Sequence, residues 1–420
     1  MNLQKIIDKR DEMTKYAVAE ITHICKTFGK RDPGSEGERK ACEYMADVLK
    51  NECGCETVKV ESFEEHPGAF YGWLYFTITM VLAAAALFFV YPLVSAILCA
   101  LGLFIMIMEF GLYKKCVDIF FKKKTGHNVY AVKKCTGEVK RRIMFNGHPD
   151  AAWEWPVNYL LGGVGFEAHA IIAMAGTVLY LVFSIIYLAI SGAKGIALVP
   201  DMTLSNAPWV VKAMLVCLIF VPFQFGLYFM CNTRRVVDGA NDNLTGCYMG
   251  ICLLKALHDE GIELENTEIG CILTGSEESG LRGAEAWSKA HKHDFDDVPT
   301  FIIAYDTIHD PDQLMVNYRD LNGTVKADKE VSDLFYEAAV EAGVPIKKGM
   351  VPPMGGSTDS AAFTKGGFRS TGITGLNHKL EDYYHTRRDT YDNLNETGIS
   401  NCYAATVKCL EKFDNGEKTE

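Results

Sequence analysis

From Pro67 to Met108 the chain runs 42 positions without a charged side chain. Drawn as one helix at 1.5 Å per residue this is roughly 63 Å, about twice the ~30 Å hydrocarbon thickness of a bilayer. Pro92, near the middle in VYPLVS, marks the turn that such a length needs. The stretch therefore predicts a hairpin of two membrane spans, about Tyr71–Val90 and Leu93–Tyr113. A second uncharged stretch, Ala170–Ala193, predicts a third span. A fourth follows at about Ala213–Cys231, after a linker holding Lys194, Pro200, Asp201 and Lys212. A core helix of a soluble protein is usually shorter and polar along one face. TVLYLVFSIIYLAI is apolar all round.

The flanks predict an orientation. Lys114, Lys115, Lys122, Lys123 and Lys124 follow the second span, and Arg234 and Arg235 follow the fourth. The opposite side offers only Lys194 and Lys212. By the positive-inside rule the basic side faces the cytoplasm. Both termini and everything outside the spans then lie there, on a multi-pass protein of the cell membrane. The fourteen cysteines fit that placement, being scattered, with some such as Cys99 and Cys217 inside apolar runs. They read as reduced, small buried residues rather than a disulfide framework. The opening MNLQKIIDKRDEMTKY is mixed in charge with no apolar core, so no cleavable signal peptide is expected. A net charge of −11 argues against nucleic-acid binding, which needs a basic face.

Removing the insertions 67–113 and 169–231 leaves residues 1–66, 114–168 and 232–420 as one discontinuous domain. Its pieces alternate helix and strand. Glu36–Lys50, Leu244–His258, Leu281–His291, Val331–Ala342 and Tyr403–Phe413 read as helices. CETVKVESF, NVYAVK, RIMFN, EIGCILT and TFIIAY read as strands. Short apolar strands alternating with helices predict an α/β fold with a mostly parallel central sheet flanked by helices.

In such a sheet ligands bind beyond the carboxyl ends of the strands. Here that edge collects one kind of chemistry. RIMFN runs into Gly147-His148-Pro149-Asp150, EIGCILT into Gly275-Ser276-Glu277-Glu278, and TFIIAY into Asp306. Asp238-Gly239-Ala240-Asn241-Asp242-Asn243 opens a helix, and Tyr383-Tyr384-His385-Thr386 comes late in the chain. Each alone reads as a turn, a solvated pair or a helix cap. Together so many carboxylates at one edge would repel unless cations offset them. A histidine and carboxylate set without cysteine fits one or two zinc ions in an open, catalytic site.

These motifs resemble the di-zinc exopeptidases of the M28 clan, the aminopeptidase and glutamate-carboxypeptidase lineage. H-x-D, G-A-N-D-N-x-x-G, E-E-x-G-L-x-G and a late Y-H-T occur in the family's order, and RDPGSEGERKACEYMADVL is similar to its opening helix. The resemblance covers the non-membrane pieces and none of the spans. It implies the zinc-exopeptidase fold, a peptide substrate, and two zinc ions per chain. One would be held by His148 and Asp306, the other by Glu278 and His385, with Asp242 bridging. Glu277 would be the general base, Tyr384 the donor to the developing oxyanion, and Asp150 the partner of the second nitrogen of His148. Two departures stand out. Ser360 occupies the place of a histidine in Gly356-Ser357-Thr358-Asp359-Ser360, and 94 positions, two spans among them, separate His148 from Asp242. A membrane-anchored aminopeptidase is the leading expectation. A glutaminyl-cyclase-like zinc enzyme, or a receptor or chaperone using the fold only as scaffold, are the alternatives.

Overall fold

The computed structural model describes residues 2–192, 205–353, 355–377 and 382–417. The linker residues Lys194, Pro200 and Asp201 lie outside the described residues. The chain divides into two compact units, Met1–Pro67 with Lys123–Glu154 and Thr233–Glu420, and Gly68–Lys122 with Trp155–Asn232.

The strands are β1 (Thr57–Glu65), β2 (Lys124–Lys133), β3 (Arg141–Gly147), β4 (Trp153–Glu154), β5 (Asn232–Val236), β6 (Thr267–Thr274), β7 (Thr300–Ile308), β8 (Leu314–Asp320), β9 (Val325–Lys326), β10 (Lys347–Met350) and β11 (Arg369–Gly375). In the first unit they form a sheet in the order β1-β2-β6-β3-β7-β11-β8-β10, with β9 beside β8, while β4 and β5 pair as a separate ribbon. The central block β6-β3-β7-β11 is parallel. Antiparallel pairing flanks it, through β1 and β2 on one side and β8 on the other. Consecutive residues Ile302, Ile303 and Ala304 of β7 are all wholly buried, which requires cover on both faces of the sheet. That is why these strands are apolar throughout instead of alternating. Helices Arg10–Thr27, Thr245–Asp259 and Glu396–Asn415 pack together and share the main core with the sheet. Helix Glu36–Asn51 is opened by Ser35, whose hydroxyl accepts the Glu38 N–H at 3.1 Å, and lies against β1 and β2.

The two inserted segments leave the sheet's register intact. The first falls between Glu65 and Lys124, which are facing partners at the end of the β1–β2 ladder, so it occupies the place of a hairpin turn. The second falls between β4 and β5, which pair with each other.

The second unit contains four helices long and apolar enough to cross a membrane: Gly68–Leu87, Pro92–Gly111, Pro156–Ser191 and Trp209–Phe229. Polar side chains link them. Ser95 Oγ donates to the Ala84 carbonyl at 2.8 Å and lies 3.2 Å from Ser184 Oγ; the Tyr180 hydroxyl donates to the Cys217 carbonyl at 2.9 Å. Large apolar side chains such as Ile97, Phe104, Ile185 and Val216 point outward, as they do on lipid-facing helices. Glu109, the one charged residue in the first two helices, is buried and accepts the Val117 N–H at 2.8 Å.

Two boundaries differ from the sequence reading. Residues 114–122 pack with the second unit, where Val117 clusters with Ala69 and Trp73, and the Phe121 ring comes so close that a Cβ on Gly72 would sit 2.0 Å from it. The third helix starts at Pro156, well before Ala170. Glycines at 162, 163 and 165, with Glu167 and His169, lower the hydropathy there, and Gly162, at φ 68°, is not helical and breaks a short first turn from the long helix that follows.

Candidate metal centre

His148 follows β3 directly, and its ring is buried. Its Nε2 lies 3.4 Å from Asp242 Oδ1, 3.8 Å from Glu277 Oε2 and 4.0 Å from Asp306 Oδ1. Asp242 sits in the irregular turn Ala240–Leu244 before helix Thr245–Asp259, with a cis peptide to Asn243. Its other oxygen is 3.0 Å from His385 Nε2, which is in turn 3.2 Å from Glu278 Oε2. His148, Asp242 and Asp306 each offer a donor atom within 4.8 Å of one another, and so do Asp242, Glu278 and His385. Asp242 belongs to both groups. His148, Glu277 and Glu278 form a third such group. The five ligand positions implied by the resemblance and Glu277 therefore converge on one place, from five separate segments of the chain.

The scaffold explains the convergence. Asp306 is set by β7, whose parallel pairing with β3 brings it beside the loop of His148. Glu277 and Glu278 stand in a tight turn after β6, reached through Ser276 at φ 58°, a backbone region that few residues other than glycine adopt. Asp150 holds that turn by accepting the backbone N–H groups of Glu277 and Glu278, at 3.1 and 3.0 Å. Its contact to His148 Nδ1 is longer, 3.4 Å. The expected pairing with the second histidine nitrogen is thus subordinate to a grip on the glutamate turn. Asn243 ties the Asp242 turn to the end of β7: its side chain donates to the Tyr305 carbonyl at 2.7 Å and accepts from Gly246 and Thr307 N–H groups. Sequence reasoning missed that role, because the partners of Asn243 are backbone atoms.

Several buried donors are left without hydrogen-bond partners, namely both ring nitrogens of His148, Asp242 Oδ2 and Glu278 Oε1. Unsatisfied polar atoms are rare in folded proteins, and three of these residues, His148, Asp242 and Glu278, belong to the donor groups gathered here; His148 turns Nε2 to Asp242 and Nδ1 to Asp150. A hard or borderline cation on oxygen and imidazole donors accounts for them, and this donor set suits zinc. The titration behaviour agrees. Burial pushes Glu277 far above the ordinary carboxylate range, against the pull of His148, and Asp306 and Glu278 push it further. Burial likewise raises Asp306, and brings Glu278 to about 7. Burial would also raise Asp242, but contacts with His148 and His385 outweigh it and hold this carboxyl low. For His385 burial is overcome by Glu278 and Asp242, which lift it to about 10.

Tyr384, whose ring stacks on that of His385 at 4.1 Å, lines a small solvent-open cavity with Asp306, Thr307, Val351, Ser357, Thr358 and Leu376. Burial and the surrounding carboxylates keep its hydroxyl protonated. The Ser357–Thr358 part of this wall is fixed by Asp320, which accepts from both hydroxyls, at 2.8 and 2.6 Å. Asp359, next along, accepts from the Thr274 hydroxyl. Ser360, standing where a histidine was expected, turns to the Ser370 hydroxyl.

Residues 228–410, a little under half of the chain, match the family model described as Peptidase family M28. No curated protein matches the chain by sequence. Among solved structures it is similar to an aminopeptidase from Aneurinibacillus sp. strain AM-1, at TM-score 0.56 and 13% identity, over 98% of this chain and 96% of that one. A zinc aminopeptidase from Bacillus subtilis gives TM-score 0.53 and 12% identity, over 95% of each chain. Porphyromonas gingivalis glutaminyl cyclase gives 0.52 and 11%, over 97% and 98%. Residues 228–410 are thus similar to Peptidase family M28, and the chain shares a mixed α/β fold with these structures.

Proposed function

We propose that the protein is a membrane-anchored zinc exopeptidase, an aminopeptidase, whose site holds two zinc ions. The observation that carries the reading is the shared carboxylate: Asp242 is common to two three-residue donor groups, completed by His148 with Asp306 and by Glu278 with His385. When bound, zinc supplies Lewis-acid polarisation and a nucleophilic water at neutral pH. The chain's own residues supply the rest. Glu277, beside the donors, takes a proton from the attacking water and returns it to the leaving amine. Asp150, by gripping the Glu277 and Glu278 backbone, holds that carboxyl in place. The Tyr384 hydroxyl, kept protonated in the cavity, donates to the oxyanion that develops at the scissile carbonyl.

The four long apolar helices would anchor the chain in the cell membrane, with the basic flanks, both termini and the peptidase unit on the cytoplasmic side. Fold alone does not decide between hydrolysis and glutaminyl cyclisation, because one fold hosts both. The complete pair of donor groups favours hydrolysis. The test is metal analysis of the purified chain, together with aminoacyl, peptide and N-terminal glutaminyl substrates. Zinc near two per chain with release of N-terminal residues is the expected result. Cyclisation without hydrolysis, or no metal uptake, would sink it.

A further inference from the structure

Arg31 precedes helix Glu36–Asn51, and its side chain is wholly buried. Nε donates to the Pro149 carbonyl at 2.8 Å, and Nη2 to the carbonyls of Asp238 and Gly239 at 2.6 and 3.0 Å. Its own carbonyl accepts the Ala151 N–H at 2.9 Å. Every oxygen that the guanidinium meets is therefore on one of two loops. One loop carries His148 and Asp150, the other leads into Asp242. Along the chain these loops lie on opposite sides of the second membrane insertion, so no short connection fixes their spacing. A third contact runs between them directly, from the Val237 N–H to the Ala152 carbonyl at 3.0 Å.

The side-chain type matters. A guanidinium is a planar fork that reaches several carbonyls at once, whereas a lysine ammonium is a compact point on a flexible stem. Burying a cation is costly unless its hydrogen bonds are well made. The fit is also close: at Gly239, φ 58°, a Cβ would lie 2.7 Å from Ala151 Cβ and 3.1 Å from Arg31 Nη2.

We propose that Arg31 is a positioning residue, which sets the His148 loop against the Asp242 loop and thereby fixes the spacing of donors in the metal centre. This role rests on the reading of the site as a metal centre. In the scaffold, Arg31 does across an inserted membrane segment what a short loop would otherwise do.

The test compares the full-length wild type in detergent with Arg31→Met, Arg31→Lys and Leu334→Ala. The last is a core substitution that lowers thermal stability from elsewhere in the same unit. Two quantities are measured. One is hydrogen exchange at the Ala151 and Val237 amides of metal-free protein; the other is zinc affinity by chelator competition. Arg31→Met is expected to accelerate exchange at both amides beyond Leu334→Ala, and to weaken zinc binding about 10–100-fold, the usual cost of losing support behind a ligand. Arg31→Lys should fall between. If Arg31→Met does not fold, Arg31→Lys decides by the same two readouts. Zinc affinity unchanged from wild type, or a loss matched by Leu334→Ala, would overturn the proposal. A wild type that takes up no zinc would sink the metal-centre reading itself. The exchange comparison then reports separately whether Arg31 couples the loops.

Discussion

Asp389 Oδ1 accepts both the backbone N–H and the side-chain amide of Asn241, at 2.7 and 2.9 Å. Its second oxygen accepts the Asp242 N–H at 3.2 Å. One buried carboxylate, four residues after His385, thus braces the turn that presents the shared Asp242. Asp389→Ala would strand these donors, at a cost of about 1–3 kcal/mol for each buried group left unmade. Thermal unfolding should report the loss, and chelator competition should report weaker zinc binding. Asp389→Asn, which keeps one acceptor oxygen, should lie between Ala and wild type. Equal zinc affinity in all three proteins would show that the brace does not reach the site.

Glu277→Gln preserves shape but removes the proton acceptor. Peptide hydrolysis should fall by about 10²–10⁴-fold, the usual worth of general base catalysis. Bound zinc, measured by elemental analysis, should stay near the wild-type level. Full activity in this variant would remove Glu277 from the mechanism.

His291 offers a pH test away from the site. Its ring stacks on Trp287, with Nε2 2.8 Å from Glu61 and Nδ1 2.7 Å from Asp294. The Glu61 hydrogen bond raises its pKa most, against burial, and Asp294 adds to the rise. The folded pKa then exceeds the unfolded value of about 6.5. The stabilising contribution is therefore complete below that value and is lost as pH rises through the higher folded one. Thermal stability relative to His291→Gln should converge toward alkaline pH. A pH-independent difference would mean the ring is neutral when folded.

Topology is checked with reporters. A fusion after Glu420 should behave as cytoplasmic, and a tag beside Ser205 should be reachable from outside. The reverse pattern would overturn the orientation read from the basic flanks.

Replacing residues 68–122 and 155–232 with short Gly/Ser linkers should give a soluble chain that binds zinc. Both cuts close strands that already pair, β1 with β2 and β4 with β5. A soluble, folded product that takes up zinc but cleaves no peptide would assign the spans a share in catalysis.

Much of the site was legible because strand ends gather it: His148, Glu277, Glu278 and Asp306 each follow or close an apolar run that reads as a strand. Strands β8 and β11 were not foreseen. RSTGITG lacks the apolar run of the other central strands, yet it is buried in the sheet because its hydroxyls find partners, Thr371 with Ser332 at 2.8 Å and Thr374 with Asn317 at 3.3 Å. Such matching depends on residues distant in sequence, so no local pattern reports it. Arg31, Asn243 and Asp389 escaped notice for a related reason. They bind peptide groups, which carry no side-chain signature. The third long apolar helix begins earlier than its apolar run because glycine, glutamate and histidine lower the hydropathy of its first turns.

The facing of Glu65 and Lys124 has a consequence for biosynthesis. A hairpin turn lets its second strand pair as soon as it leaves the ribosome. Here a segment with two long apolar helices must emerge between β1 and β2 before they can meet. Loop-closure entropy rises by only about 0.6 kcal/mol for each doubling of length, so the delay is one of order more than of energy. Strand β1 waits unpaired while the two long apolar helices are made, and the sheet completes that edge only after the whole first insertion has emerged.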